Sequence, residues 1–302
     1  MASPKLRAFR GRVIYGTLLL IGAVVRLLPL GAARLLGRAL GHAAWHLVRG
    51  ERRKALRNIA MAFPSWSAAQ CRKTIHAMFQ HHGASLAEIL WMPKLDLAKR
   101  DAINVVTGMD AVLKVIDNGD GVICFTAHCG NWEWLCYSMG MYGRPVSVLQ
   151  RERDEQQMNQ FITELRAKAG VRTIDRGSPA SAREMITVIR KGGMLAFVMD
   201  QNIRTESVKI PFFGIPAPTP IGPTRFAIRS EAWVTIALAE RRAGKQILTF
   251  TEPFRCTRDD DPVALTANIT GAIEEHIRRV PEQWVWFHDR WRERPKWDVT
   301  PQ

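Results

Sequence analysis

His128 and Glu133 are the two residues whose types and spacing most directly offer chemistry. They lie in the stretch Cys124-Phe125-Thr126-Ala127-His128-Cys129-Gly130-Asn131-Trp132-Glu133-Trp134. A neutral imidazole held by a carboxylate can take a proton from a hydroxyl. Five residues along a continuous α-helix turn through about 140°, so the two side chains would point apart if both were helical. They meet if His128 ends a buried strand, Gly130 makes the turn, and Asn131 caps a helix with Glu133 in its first turn. The same turn brings backbone N–H groups near Gly130 and Asn131 into that volume, where they favour developing negative charge. A lone strand-end histidine is ordinarily a satisfied core residue. This one sits at a strand-to-helix junction with an acidic partner, and the catalytic reading is the stronger.

The elements that must position this pair follow from hydropathy patterning. Beyond Asn104, apolar runs recur at residues 122–127, 146–149, 171–174, 194–199, 233–239 and 247–250. Helix-like segments at residues 131–141, 155–169 and 179–191 separate them, the last with Ser178 as cap and Pro179 at its first position. Such alternation predicts an α/β fold, a mostly parallel central sheet flanked by helices. A parallel sheet binds its ligand at the carboxyl ends of its strands. Those ends read His128, Arg151, Arg176 and Asp200-Gln201. Taken singly, each charge is an ordinary surface ion pair; taken together, the cations suit phosphate or carboxylate groups, and Asp200 with Gln201 suits sugar hydroxyls. A long loop follows, with Pro211-Phe212-Phe213-Gly214 and Thr219. Its phenylalanines either wall an acyl-chain pocket or plug the loop onto the sheet, and residue types alone do not choose.

Upstream, residues 51–95 pattern as helices, with Ser67 to Gln70 a capping box. His76, His81 and His82 there read as exposed or capping groups without chemistry. Residues 1–50 read as a separate membrane-associated helical anchor, and residues 51–302 as the catalytic domain. Lys5, Arg7, Arg10 and Arg12 precede an apolar stretch from Val13 to Val25; Arg26 and Pro29 break it, and an Arg-flecked helical pattern resumes from Leu30 to Val48. A spanning helix needs roughly 20 apolar residues, and this run is shorter, so it reads as an interfacial anchor meeting anionic head groups. A cleaved signal peptide and a buried helix hairpin are the rival readings.

The chain has 302 residues, with 43 Lys and Arg against 28 Asp and Glu, a net charge of +15. That balance admits nucleic acid, anionic lipid or acidic proteins as partners. Five unevenly spaced cysteines form no disulfide framework and point to a reducing, cytosolic face. Cys124, Cys129 and Cys136 lack the Cys-x-x-Cys spacing of a zinc site and read as small buried groups. There is no Gly-x-Ser-x-Gly elbow, no phosphate loop and no dinucleotide fingerprint.

The stretch His128-Cys-Gly-Asn-Trp-Glu133 resembles the His-x4-Asp/Glu motif of glycerolipid acyltransferases, in the form typical of the bacterial lipid A biosynthesis lauroyl/myristoyl acyltransferase family. The likeness continues through Arg52, Asn58, Ala62-Phe63-Pro64, Asp200-Gln201, Pro211-Phe212-Phe213-Gly214, Thr219, Gly222 and Pro281-Glu282-Gln283-Trp284 to Arg294-Pro295. One departure is Glu152-Arg153-Asp154-Glu155, which lacks the Pro and Asn-Pro of many members and bears on the acceptor. The resemblance implies a glycerolipid acyltransferase-like fold in an enzyme at the cytosolic face of the bacterial inner membrane. It would move a fatty acyl chain from acyl carrier protein or coenzyme A to a hydroxyl of a glycolipid, foremost a lipid A precursor; acyltransferases of mannosylated phosphatidylinositol share the core motif. In that family His128 would be the general base, Glu133 its orienting partner, and the strand-end Arg and Asp groups would serve the acceptor. No metal or tightly held cofactor is called for. The competing classes are a basic nucleic-acid-binding protein, a metal-dependent hydrolase built on His128 and Glu133, and a silent membrane scaffold.

Overall fold

The computed structural model describes residues 4–151, 156–203 and 205–292. Arg294-Pro295 and the divergent Glu152–Glu155 segment lie outside them. The chain opens with four helices, α1 (Pro4–Leu27), α2 (Leu30–Leu47), α3 (Arg49–Ala62) and α4 (Ala68–Trp91). The α/β part follows: α5 (Leu97–Ile103), β1 (Asn104–Thr107), α6 (Met109–Asp117), β2 (Val122–Thr126), α7 (Trp132–Gly140), β3 (Val146–Arg151), α8 (Gln156–Ala167), β4 (Val171–Arg176), α9 (Ser181–Arg190) and β5 (Met194–Val198). Then come β6 (Ser207–Phe212), β7 (Ile215–Pro220), α10 (Gly222–Arg229), β8 (Trp233–Arg242), β9 (Lys245–Phe250), β10 (Phe254–Arg255) and α11 (Pro262–Arg279).

The main sheet runs β1-β9-β8-β2-β5-β3-β4, with β10 paired to β8. All its neighbours are parallel except β8 with β9 and β8 with β10. The α/β expectation therefore holds. The central strand β2 is buried at every position, as a strand covered on both faces requires. Two apolar cores fill the space on the faces of the sheet. One gathers α3, α4, α11 and the Trp284–Trp286 segment; the other gathers α6, α7 and α8.

Two local expectations need correction. Helix α9 starts at Ser181 with Ala180 at its cap, and Ser178 instead accepts a hydrogen bond from the Ala180 N–H. Pro179 thus lies in the preceding turn. The long loop after Asn202 contains an antiparallel hairpin, β6-β7, turning through Phe213 and Gly214, both with positive φ. With a two-residue turn the flanking pair Phe212–Ile215 is the hydrogen-bonded kind, so Pro211, Pro216, Pro218 and Pro220 fall at positions whose N–H the ladder does not use.

The capping box forms as read: Gln70 N–H donates to Ser67, and Ser67 N–H donates to Gln70. Helix α2 lies flush on α4 because glycines meet backbone there. A Cβ on Gly37 would stand 2.4 Å from Gly83 O, and one on Gly41 2.2 Å from Phe79 O. The outward faces of α1 and α2 leave Leu20, Leu27, Leu35, Leu36, Leu40 and Leu47 exposed. Among the described residues no helix is long and apolar enough to cross a membrane.

Candidate active site

The site forms where β2 and β5 end side by side. Their register pairs Thr126 with Val198, so two residues further on His128 and Asp200 are again neighbours. Asp200 grips His128 twice. Its Oδ1 lies 2.8 Å from Nδ1, and its Oδ2 accepts the His128 backbone N–H at 2.9 Å. Oδ2 also accepts from Trp284 Nε1 at 2.7 Å. An acceptor facing Nδ1 fixes the proton on that nitrogen and leaves a lone pair on Nε2. Nε2 has no partner among the described residues, and the ring is 21 % exposed while the Asp200 side chain is fully buried. Burial pushes the Asp200 carboxyl up, but the His128 charge and the hydrogen bonds from His128 and Trp284 outweigh it and hold it below its ordinary value.

Gly130 makes the turn after His128 with φ +64°, and an added Cβ would meet Ala239 O at 2.2 Å. Only glycine satisfies both conditions. Asn131 caps α7, its Oδ1 accepting the Trp134 N–H at 3.1 Å. Trp132 then packs edge-on against the His128 ring at 4.9 Å between centroids. The strand, turn and capped helix of the sequence reading are all present.

The partnership within them differs. Glu133 forms a two-pronged ion pair with Arg166 of α8, at 2.9 Å to Nε and 2.7 Å to Nη2. Burial works against the Arg166 cation, and Glu133 beside it more than restores it. Asp200, read from sequence as a sugar ligand, is thus the carboxylate on His128, and Glu133, read as that partner, secures Arg166. The Gly130 N–H is also not an oxyanion donor, because it donates to Gln283 O at 3.0 Å. In the first turn of α7 the Trp134 N–H is taken by the Asn131 cap, which leaves the Trp132 and Glu133 N–H groups without helical acceptors.

The remaining sequence candidates disperse. Arg151 and Arg176 close β3 and β4 in mutual register at the same sheet edge, two and three strands from β2, or about 10 and 14 Å at ordinary strand spacing. The Arg151 side chain lies outside the described residues. Gln201 sits half-buried next to Asp200. Phe212 and Phe213 are both buried, with Trp284, Trp286 and Trp291 around them, so their packing is that of a plug. Thr219 is buried and accepts from Arg290 Nη2 at 2.6 Å, a guanidinium that also lies over the Phe212 ring. His81 is not an exposed group either: it is buried against Arg241 and Ser85.

A narrow cleft of about 40 Å³ opens next to the site. Its apolar walls include Cys124, Leu135, Cys136, Met139, Val148 and Leu149, with Trp132 and the Glu133–Arg166 pair also lining it. Burial pushes the Cys124 and Cys136 thiols up to about 12, so both act as apolar wall. Arg166 was missed in the sequence although a signal existed. It falls one helical turn after Ile162 on the buried stripe of Phe161, Ile162 and Leu165, where a cation needs a partner.

A mostly parallel sheet carrying a carboxylate-held imidazole at a strand end, beside an apolar cleft and a helix N-terminus, is an α/β arrangement whose chemistry suits proton transfer from a hydroxyl. The chain belongs to the bacterial lipid A biosynthesis acyltransferase family, whose model matches residues 3–293, and it is an acyltransferase. It is 25 % identical over 276 residues to the lipid A biosynthesis lauroyltransferase of Escherichia coli K12, covering 89 % of this chain and 88 % of that one. A lipid A biosynthesis palmitoleoyltransferase of the same strain is also 25 % identical, over 273 residues, with 89 % and 87 % covered. A phosphatidylinositol mannoside acyltransferase of Mycobacterium tuberculosis is 24 % identical over 226 residues, covering 71 % and 69 %.

Proposed function

We propose that this enzyme transfers a fatty acyl chain from a thioester, on acyl carrier protein or coenzyme A, directly to a hydroxyl of a lipid A precursor at the cytosolic face of the inner membrane. The double grip of Asp200 on His128 carries the mechanistic part of the reading. His128 Nε2 takes the hydroxyl proton as the oxygen attacks the thioester carbonyl, and Asp200 stabilises the imidazolium that forms. The Trp132 and Glu133 N–H groups at the start of α7 stabilise the oxyanion. Collapse breaks the C–S bond, and the imidazolium returns its proton to the departing thiolate. The apolar lining of the cleft suits an acyl tail, and at about 40 Å³ the side chains around it must shift to admit one. Arg151 and Arg176, on the same sheet edge, suit phosphate groups of the acceptor.

Residues 1–50 serve in this reading as a surface anchor. The exposed leucines of α1 and α2 enter the lipid interface, and neighbouring arginines meet anionic head groups. Leu36→Asp with Leu40→Asp is expected to release the protein from anionic vesicles in flotation; unchanged flotation removes α2 from the anchor. The function itself is tested by mass spectrometry of glycolipids from cells with and without the protein. One acyl increment on a lipid A precursor that tracks the wild type and vanishes with His128→Ala is the expected result. An increment on mannosylated phosphatidylinositol redirects the acceptor, and none on any glycolipid ends the proposal.

A further inference from the structure

We infer that Glu88 of α4 is a positioning residue for acyl transfer, acting through the side-chain amide of Asn131 on the turn that carries His128. The inference rests on the acyl-transfer reading. Glu88 is fully buried, yet five donors reach its carboxylate. Arg241 gives two, at 2.8 and 2.6 Å; Arg34 Nε gives one at 2.6 Å; Gln246 Nε2 and Asn131 Nδ2 give one each at 2.8 Å. Burial pushes the Glu88 carboxyl up, but Arg241, Arg34 and Asn131 more than offset this and hold it ionised, an acceptor only.

That matters because the Asn131 amide has one donor end and one acceptor end. It caps α7 only while Oδ1 faces the Trp134 N–H, which requires Nδ2 to face the other way. An ionised Glu88 accepts from Nδ2 at 2.8 Å and cannot donate, so with the longer 3.4 Å contact from Nδ2 to the Ser85 carbonyl it selects the capping orientation. The capped turn holds Trp132 against the His128 ring and Glu133 against Arg166. A second route joins the same hub to the turn. Gln283 exchanges hydrogen bonds with the Arg241 backbone, and its own carbonyl accepts the Gly130 N–H. Stability alone does not call for such a hub, since apolar packing commonly replaces a buried ion triad without loss.

The test compares Glu88→Gln, Arg34→Ala, Asn131→Ser and the double variant Glu88→Gln/Asn131→Ser in the full-length protein. Melting temperature, kcat and KM for the thioester are measured, with hydrogen exchange at the Trp134 amide. Glutamine can offer its own N–H₂ to Asn131 and so favours the reversed amide. Glu88→Gln is expected to lower kcat about tenfold, the equivalent of one lost cap, with KM nearly unchanged, and to speed exchange at Trp134. Arg34→Ala disturbs the same hub without touching Asn131; it is expected to lower the melting temperature but keep kcat within about twofold and leave Trp134 protected. Serine caps the helix without help from Glu88. In the Asn131→Ser background, Glu88→Gln is therefore expected to cost no further kcat.

Equal losses of kcat and melting temperature in the Arg34 and Glu88 variants, or multiplied losses in the double variant, overturn the inference and leave Glu88 a structural ion pair. Should Glu88→Gln not fold, Glu88→Gln/Arg34→Leu keeps the net charge of the buried set and is read the same way. If the wild type transfers no acyl group, the acyl-transfer reading fails by itself. Exchange at Trp134 then still decides whether Glu88 orients the amide, and unchanged exchange overturns that too.

Discussion

A carboxylate that accepts from imidazole Nδ1 sets which nitrogen can act as a base, and that gives Asp200 and Glu133 different expected phenotypes. Asp200→Asn preserves shape but replaces one acceptor by a donor, favouring the tautomer with its proton on Nε2. Acyl transfer is expected to fall about 10²–10⁴-fold with KM for the thioester little changed, measured with purified protein and a labelled thioester. A fall under about threefold would remove Asp200 from the mechanism. Glu133→Gln instead leaves Arg166 buried beside a neutral side chain, and the melting temperature is expected to drop, in keeping with the roughly 3–5 kcal/mol typical of a broken buried pair. Adding Arg166→Met is expected to recover most of that stability without recovering transfer. Recovered transfer would show that the pair only fills space next to the cleft.

Backbone close approach governs the elements around these residues. Gly130 combines a left-handed φ with contact against β8, so Gly130→Ala carries both strain and a clash and is expected to cost about 3 kcal/mol or more along with the activity. Thermal unfolding checks it, with Gly31→Ala, where nothing lies within 4 Å, as the neutral control. The α2–α4 contact obeys the same rule. A Cβ on Gly83 would stand 2.1 Å from Gly37 O, so Gly83→Leu is expected to lift α2 and loosen Arg34 from Glu88, lowering the melting temperature. In the hairpin, four prolines erase the sequence signature of strands, although they occupy positions where the ladder needs no N–H. A periodicity argument sees proline and reads loop; the two-residue turn through Phe213-Gly214 makes it a hairpin.

Across the whole molecule, buried imidazoles set the response to acid. Burial holds His82 and His288 down at about 4, against an ordinary value near 6.5. Between those limits the unfolded chain binds protons that the native chain refuses, so stability rises with pH through this window and falls on acidification. The buried carboxyls of Asp200 and Glu88 act in the same sense at lower pH. Each is held below its ordinary value, so its contribution is present above about pH 4 and is lost as the pH falls through the lower folded-state value. The melting temperature is expected to decline steadily from about pH 6.5 to 4. A flat profile there would show that these imidazoles reach solvent. Trp284, fully buried while its indole N–H holds Asp200, joins this core to the chemistry. Burying one indole removes about 150–250 Å² from water, or about 4–6 kcal/mol as an upper bound.

What the sequence determined by itself is local. The strand before His128, the glycine turn, the Asn131 cap, the Ser67–Gln70 capping box and the parallel α/β class all follow from neighbours a few residues apart, where backbone geometry leaves few choices. The choice of partner for His128 was decided only by tertiary structure. Glu133 is close in sequence, but the first turn of α7 aims it at Arg166 of α8. Asp200 reaches the imidazole because β5 is laid next to β2 in a register that carries residue 200 alongside residue 128. Strand order is set by how all the helices cover both faces of the sheet at once. Burial likewise converts Phe212 and Phe213 from candidate pocket walls into plugs, since only packing tells which apolar side chains have neighbours on every side.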